Sequence, residues 1–172
     1  MWHDYSIQYK NVLLRPLTEE DIEYLREWRN SKQQTAYLSR VDYITPEAQK
    51  AWFIHCMDSD DNITFAIIDI VRNRFVGSIA LYDFKSTQAE LGRLMVGDPE
   101  AHGKHIGRNS VWALSLFAFD QLKLDRVILH VYKDNVPALK IYSQAGYRVT
   151  SEHVSNGLIE YAMVLKKGDF CI

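Results

Sequence analysis

Cysteine is scarce in this chain of 172 residues: Cys56 and Cys171 stand far apart, with no C-x-x-C spacing. That excludes a zinc framework or a disulfide scaffold and fits two reduced thiols in a cytoplasmic protein. An excess of one charge is also missing. Twenty basic residues against 22 acidic ones give a net charge of -2, so no broad attraction to nucleic acid is expected. No apolar run approaches the roughly 18 residues that span a bilayer, and the opening MWHDYSIQYK lacks the basic-then-apolar order of a signal peptide. No internal repeat, low-complexity tract or linker interrupts the chain. What is present is an apolar content of 47%, in a length that buries a core as one domain without staples.

Periodicity divides the chain into alternating elements. Residues 6–14 read as a first strand, stopped by Pro16. Thr18 reads as the N-cap of a helix carrying Ile22, Leu25 and Trp28 and closing at Asn30-Ser31. A second helix starts at Thr45-Pro46-Glu47, proline being favourable at the first helical position. Its expected apolar side is Ala48, Ala51, Trp52 and His55 or Cys56. Strands at 63–71, 75–84 and 89–96 follow, joined by short polar turns as an antiparallel meander. A helix that is apolar almost all round comes next, then a buried strand at 125–132 and a helix at 134–145 with Gly146 at its C-cap. Strands at 147–150 and 158–166 bracket the hairpin turn Ser155-Asn156-Gly157, and the tail from Gly168 is expected to fray. The order β-α-α-β-β-β-α-β-α-β-β, with crossovers only at the two later helices, predicts an α+β (mixed α/β) fold with a central mixed sheet.

The stretch 90–115 organises the rest. A strand ends at Val96, the turn Gly97-Asp98-Pro99-Glu100 follows, and a loop with Gly103 and Gly107 opens a helix. Loop amides and a helix N-terminus converge there into an anion site, with Lys104 as a nearby cation.

With the block His102-Gly103-Lys104-His105-Ile106-Gly107 and the later series Asn135-x-x-Ala138-x-x-x-Tyr142-x-x-x-Gly146-Tyr147, the chain resembles the GNAT family of acyl-CoA-dependent N-acetyltransferases. The resemblance implies a GNAT-like fold whose sheet splays between the strand ending at Val96 and the strand 125–132. Pantetheine of acetyl-CoA would add its amides to Leu94, Met95 and Val96. The pyrophosphate would meet the cradle of His102, Gly103, Lys104, His105, Ile106, Gly107 and Arg108. Asn135 would hydrogen-bond near the thioester, and Lys140 is either a phosphate contact or a solvated lysine. His102 stands where the family has Gln or Arg, and His105 where it has a first glycine. A side chain at 105 restricts the backbone and can crowd the pyrophosphate.

Acetyl transfer needs a neutral amine, a donor to the oxyanion and a proton for the leaving thiolate. By the same resemblance Glu90 is the base, acting directly or through water. The alternatives are a surface carboxylate paired with Arg93, and His130 as base in its place. Tyr142 is the acid, or else a core tyrosine beside Ala138 and Ala145. The oxyanion falls to a main-chain N–H near Met95 or Val96. His3, His55 and His153 show no partner spacing, so no metal site is expected. Serine and cysteine lack an elbow or a paired histidine, which favours direct attack over an acyl-enzyme. On the acceptor side, Trp28 and Arg29 suit a phosphate, carboxylate or ring, or Trp28 is core and Arg29 solvated. The run 25–30 and Glu90-Leu91-Gly92 are similar to the branch that acetylates nucleotide-linked amino sugars, and also to the ribosomal-protein N-terminal branch. A small amine or amino-sugar nucleotide is therefore the expected acceptor, with a protein N-terminus or a non-catalytic CoA-binding module as alternatives. The apolar helix is compatible with a homodimer.

Overall fold

A computed structural model describes residues 3–31, 43–155 and 157–170. Cys171, Ile172 and the turn residue Asn156 lie outside the described residues.

The strands are β1 (Ile7–Tyr9), β2 (Val12–Pro16), β3 (Asn62–Asp69), β4 (Arg74–Lys85), β5 (Gln88–Val96), β6 (Arg126–Tyr132), β7 (Arg148–Ser155) and β8 (Leu158–Lys166). They form one eight-stranded sheet in the order β1-β2-β3-β4-β5-β6-β8-β7. Every neighbouring pair is antiparallel except β5 and β6, which run parallel. The helices are α1 (Ile22–Asn30), α2 (Pro46–Asp58), α3 (Ile106–Asp120) and α4 (Val136–Gln144). The mixed sheet of the sequence reading is therefore present. Its single parallel pair is the one bridged by α3, as a crossover connection requires.

α3 packs its apolar surface on one face of the sheet. Val111, Leu114, Phe117 and Ala118 meet Leu14, Phe65, Ile79, Leu91 and Leu129 in the main core. A smaller cluster on the opposite face joins α1 and α2 through Leu25, Phe53 and Met57 to Ala66 and Met95. Strand alternation sends Phe65 to one cluster and Ala66 to the other, so the sheet is a shared floor for two layers.

Five local expectations are corrected. Residues 6–14 are a hairpin rather than one strand: Lys10 takes a left-handed conformation (φ 51°) and pairs resume at Tyr9↔Val12. Thr18 does not cap α1. Its N–H and hydroxyl both donate to Asp21, whose carboxylate also receives the Arg15 guanidinium through both oxygens, at 2.7 and 2.8 Å. That bidentate pairing holds the chain in a turn until Ile22. The buried side of α2 is Gln49, Phe53, Cys56 and Met57, because Phe53 and Met57 bury more apolar area than the alanines on the neighbouring face. β6 buries only alternate residues, since its other face lies open beside the cleft. The tail is also held as far as Phe170, whose ring packs 5.6 Å from Phe119. Thr45 does cap α2 as read, accepting from the Ala48 N–H.

Candidate active site

β5 and β6 are hydrogen-bonded only at their beginnings, through Gln88↔Arg126, Ala89↔Val127 and Glu90↔Ile128. Beyond Glu90 they part. Pairing between β4 and β5 also shifts there: Ser78 faces Met95 and Ala80 faces Gly92. Two residues, Arg93 and Leu94, thus oppose Ile79 in a bulge, with Arg93 left-handed at φ 52°. A bulge bends the strand and re-aims its side chains. Glycine is required at its flanks, because a Cβ on Gly92 would lie 2.4 Å from the Tyr82 hydroxyl and one on Gly77 1.9 Å from the Met95 carbonyl.

On one side of the opening lies a cavity of about 660 Å³ between the loop after β5, the start of α3 and α4. Val96, His102, Gly103, His105, Ile106, Gly107 and Arg108 line it, with Lys140 and Ile141 of α4 opposite. The first intrahelical amide bond of α3 is Asn109 to the His105 carbonyl, so the N–H groups of Ile106, Gly107 and Arg108 have no intrahelical acceptor. His105 precedes them at φ 60° and Gly103 has φ 75°. The histidine in the glycine slot thus takes the backbone conformation that glycine would supply, at a strain of about 1–2 kcal/mol. His102 is tied back, its Nε2 lying 3.1 Å from the Val96 carbonyl. The loop is pinned from outside by Asn11, whose amide donates to the Lys104 carbonyl at 3.1 Å and accepts from Asn109 at 2.6 Å. A pyrophosphate fits this cradle: amides converge, the helix dipole points at it, and a Cβ at Gly103 would meet nothing within 4 Å. Lys104, expected as a contact, is not among the lining residues; Arg108 and Lys140 are the cations that line the wall.

The second cavity, of about 290 Å³, opens where the strands part and gathers Glu90, Leu94, His130, Asn135 and Tyr142. Glu90 Oε1 accepts from the Tyr82 hydroxyl at 2.9 Å and lies 3.1 Å from His130 Nδ1. The two candidate bases are thus one hydrogen-bonded pair. Burial, followed by the Glu90 charge, pushes the Tyr82 phenol above its usual range. His153 meets His130 edge-on at 5.8 Å and pairs with Glu160 at 2.9 Å, so it does have a partner, supplied by the neighbouring strand. Asn135 caps α4 by accepting from the Ala138 N–H at 3.2 Å. Tyr142 packs edge-on against Tyr147, and burial alone pushes its phenol up to about 12. Tyr142 is 7% exposed: it is a core tyrosine that also lines the cavity.

A third cavity, again about 290 Å³, lies between α1, α2 and the sheet. Met95 faces this side with Leu25, Trp52 and Ser78, away from the cradle. Arg29 and Arg93 line both this cavity and the previous one. Trp28 lines none of the three. It stacks on Phe75 at 5.4 Å and seats on Gly97, where a Cβ would lie 2.1 Å from the indole. Asn30 holds the mouth of the third cavity by exchanging two hydrogen bonds with the Ile44 backbone, each 2.9 Å. Sequence reasoning gave no role to Tyr82 and named Arg93 only as a partner of Glu90. The available signal was Gly92 inside a strand pattern, which marks a bulge or a close approach.

A parallel strand pair therefore parts beside a helix N-terminus whose first amides have no intrahelical acceptor. The chain matches the model of the acetyltransferase (GNAT) domain over residues 11–148. It belongs to the GNAT acetyltransferases, a family that uses acetyl-CoA as co-substrate. Among its relatives is an N-acetyltransferase 9-like protein from Caenorhabditis briggsae, 29% identical over 57% of this chain. The chain spans 52% of the length of that protein. The acetyltransferase PseH of Campylobacter jejuni is 24% identical, over 79% of this chain and 82% of its own. The fold is similar to that of spermidine N-acetyltransferase from Vibrio cholerae in complex with CoA and spermine, with a TM-score of 0.81 and 18% identity over 92% of this chain and 97% of that one.

Proposed function

We propose that the protein transfers the acetyl group of acetyl-CoA to a primary amine by direct attack in a ternary complex, and that the acceptor is a nucleotide-linked amino sugar. The observation that carries the reaction is the meeting of Glu90, His130 and Tyr142 on one cavity at the point where β5 and β6 part. The acceptor class rests on the likeness of residues 25–30 and 90–92 to the amino-sugar branch.

Acetyl-CoA would supply an activated acetyl thioester. Its phosphates would be held by the amides of 103–108 with Arg108, and its pantetheine by the β5 edge at Leu94 and Val96. Glu90 takes the proton of the incoming ammonium on Oε2, while Oε1 stays hydrogen-bonded to Tyr82 and His130. The Oε2 proton is then released to solvent through the open cavity, while His130, its Nδ1–H donating to Oε1, holds the carboxylate in place. Tyr142 keeps its proton on Oη to about pH 12 and donates a hydrogen bond to sulfur. Full transfer to a thiolate with an ordinary pKa of about 8.5 is uphill in water. The same dry wall that raises the phenol also penalises a bare thiolate, so burial narrows that gap. A backbone N–H near Val96 faces the developing oxyanion.

The test is calorimetry with acetyl-CoA, followed by CoA release across sugar nucleotides, N-terminal peptides and polyamines. Micromolar acetyl-CoA binding with CoA release on an amino-sugar nucleotide is the expected result. Turnover only on peptides would replace the acceptor, and absence of both binding and release would overturn the reading. Binding with no release across the panel would instead define a CoA-binding module.

A further inference from the structure

Two arginines share the wall between the catalytic cavity and the cavity under α1 and α2. Neither has a carboxylate within 4 Å among the described residues. Among the described residues, Arg29 Nε is buried without a hydrogen-bond partner, and burial, followed by the charge of Arg93, lowers the guanidinium's hold on its proton. Arg93 comes from the left-handed bulge of β5. Its guanidinium lies 4.6 Å from the Tyr82 ring centroid and donates to the Cys56 sulfur at 3.8 Å. A buried donor without an acceptor beside a second cation is costly in the free protein. Such a cost is common where an absent anion completes the set.

We infer that Arg29 and Arg93 form a binding site for an anionic group, a phosphate or a carboxylate, carried by the acceptor. The inference deepens the acetyl-transfer reading and rests on it. The catalytic cavity carries both signs: Arg29 and Arg93, which also line the cavity under α1 and α2, line it together with Glu90 and Glu160. An acceptor with an amine toward Glu90 and an anion toward the arginines matches both signs. A polyamine places positive charge on both and is disfavoured. Forked guanidiniums suit phosphate and carboxylate oxygens. Beyond the pair, Leu25, Trp52 and Met95 offer apolar walls for whatever the anion is attached to.

The experiment uses matched acceptors: an amino sugar and its phosphate, an amino-sugar nucleotide, an α-amino acid and its amide, and spermidine. CoA release is read as kcat/KM for the wild type, Arg29→Met and Arg93→Gln. The expected result is a preference of at least tenfold for the anionic member of a pair, lost in both variants while the KM for acetyl-CoA stays within twofold. The phosphate and amino-acid pairs separate the two anion sources. A second arm titrates inorganic pyrophosphate into CoA-saturated protein, whose cradle is already filled. Binding by the wild type and not by the variants supports the site whatever the acceptor proves to be. Arg29→Met should also raise the melting temperature of the free protein, whereas a structural arginine would lower it. No anion preference and no pyrophosphate binding overturn the inference while leaving acetyl transfer intact. Failure of acetyl-CoA binding would fall on the underlying reading instead.

Discussion

The two sides of the opening between β5 and β6 are made of different material. The side proposed for the donor is built from main chain: consecutive amides at the start of α3 and a strand edge released by divergence from β6. The side proposed for the acceptor is built from side chains of separate elements, with Arg29 from α1, Trp52 from α2, Arg93 from β5, His130 from β6 and Glu160 from β8. Main chain tolerates side-chain change. That is how His105 stands in a glycine position, at φ 60°, without closing the loop. Side chains gathered from distant elements have no such tolerance, and each substitution there alters charge or shape directly.

The comparison breaks first at Tyr142, where the two sides meet. Tyr142→Phe should lower kcat about a hundredfold, the range of a lost general acid. Acetyl-CoA affinity by calorimetry should stay within about twofold, because the phenol plays no part in the cradle. A parallel loss of affinity would mean that the two sides are not separable.

Glu90→Gln comes next, with a loss of about thirtyfold in kcat, and His130→Gln about fivefold. Because both side chains share one oxygen, the double variant should fall short of the product of the single losses. Full multiplicativity in steady-state kinetics would show that the two act apart.

Gly97→Ala sharpens the boundary by testing Trp28. Its methyl would enter the indole, and overpacking of this kind costs about 1–3 kcal/mol, read as a lower denaturation midpoint with unchanged acceptor selectivity. Altered selectivity would return Trp28 to the acceptor side. The smallest effect belongs to His105→Gly. Relief of about 1–2 kcal/mol of left-handed strain is offset by about 0.5–1 kcal/mol of glycine entropy. The midpoint should rise slightly and the KM for acetyl-CoA stay within about twofold.

The same contrast explains what could be read from the residues alone. The strand, loop and helix of 88–120 are contiguous, and their glycines and apolar spacing are local signals. Tyr142 and Asn135 likewise follow from one helix. Arg93 was visible only as a strand residue and a partner for Glu90, because its placement comes from a bulge set by pairing with β4, and pairing register is not a local property. His153 lacked a sequence partner because its partner Glu160 arrives across the β7–β8 hairpin. Trp28 was ambiguous until Phe75 and Gly97 were seen to enclose it. The hairpin at Lys10-Asn11 was missed because a single Asn turn signal, with no glycine or proline beside it, is outweighed by the alternation on both sides.

Initial-rate kinetics with both substrates varied test the central claim most directly, since a main-chain donor site and a side-chain acceptor site must be filled together. With acetyl-CoA and the best acceptor of the panel, double-reciprocal lines should intersect, the pattern of a ternary complex. Parallel lines would report a ping-pong route through an acetylated enzyme and would contradict the account, which assigns no nucleophile to this cleft.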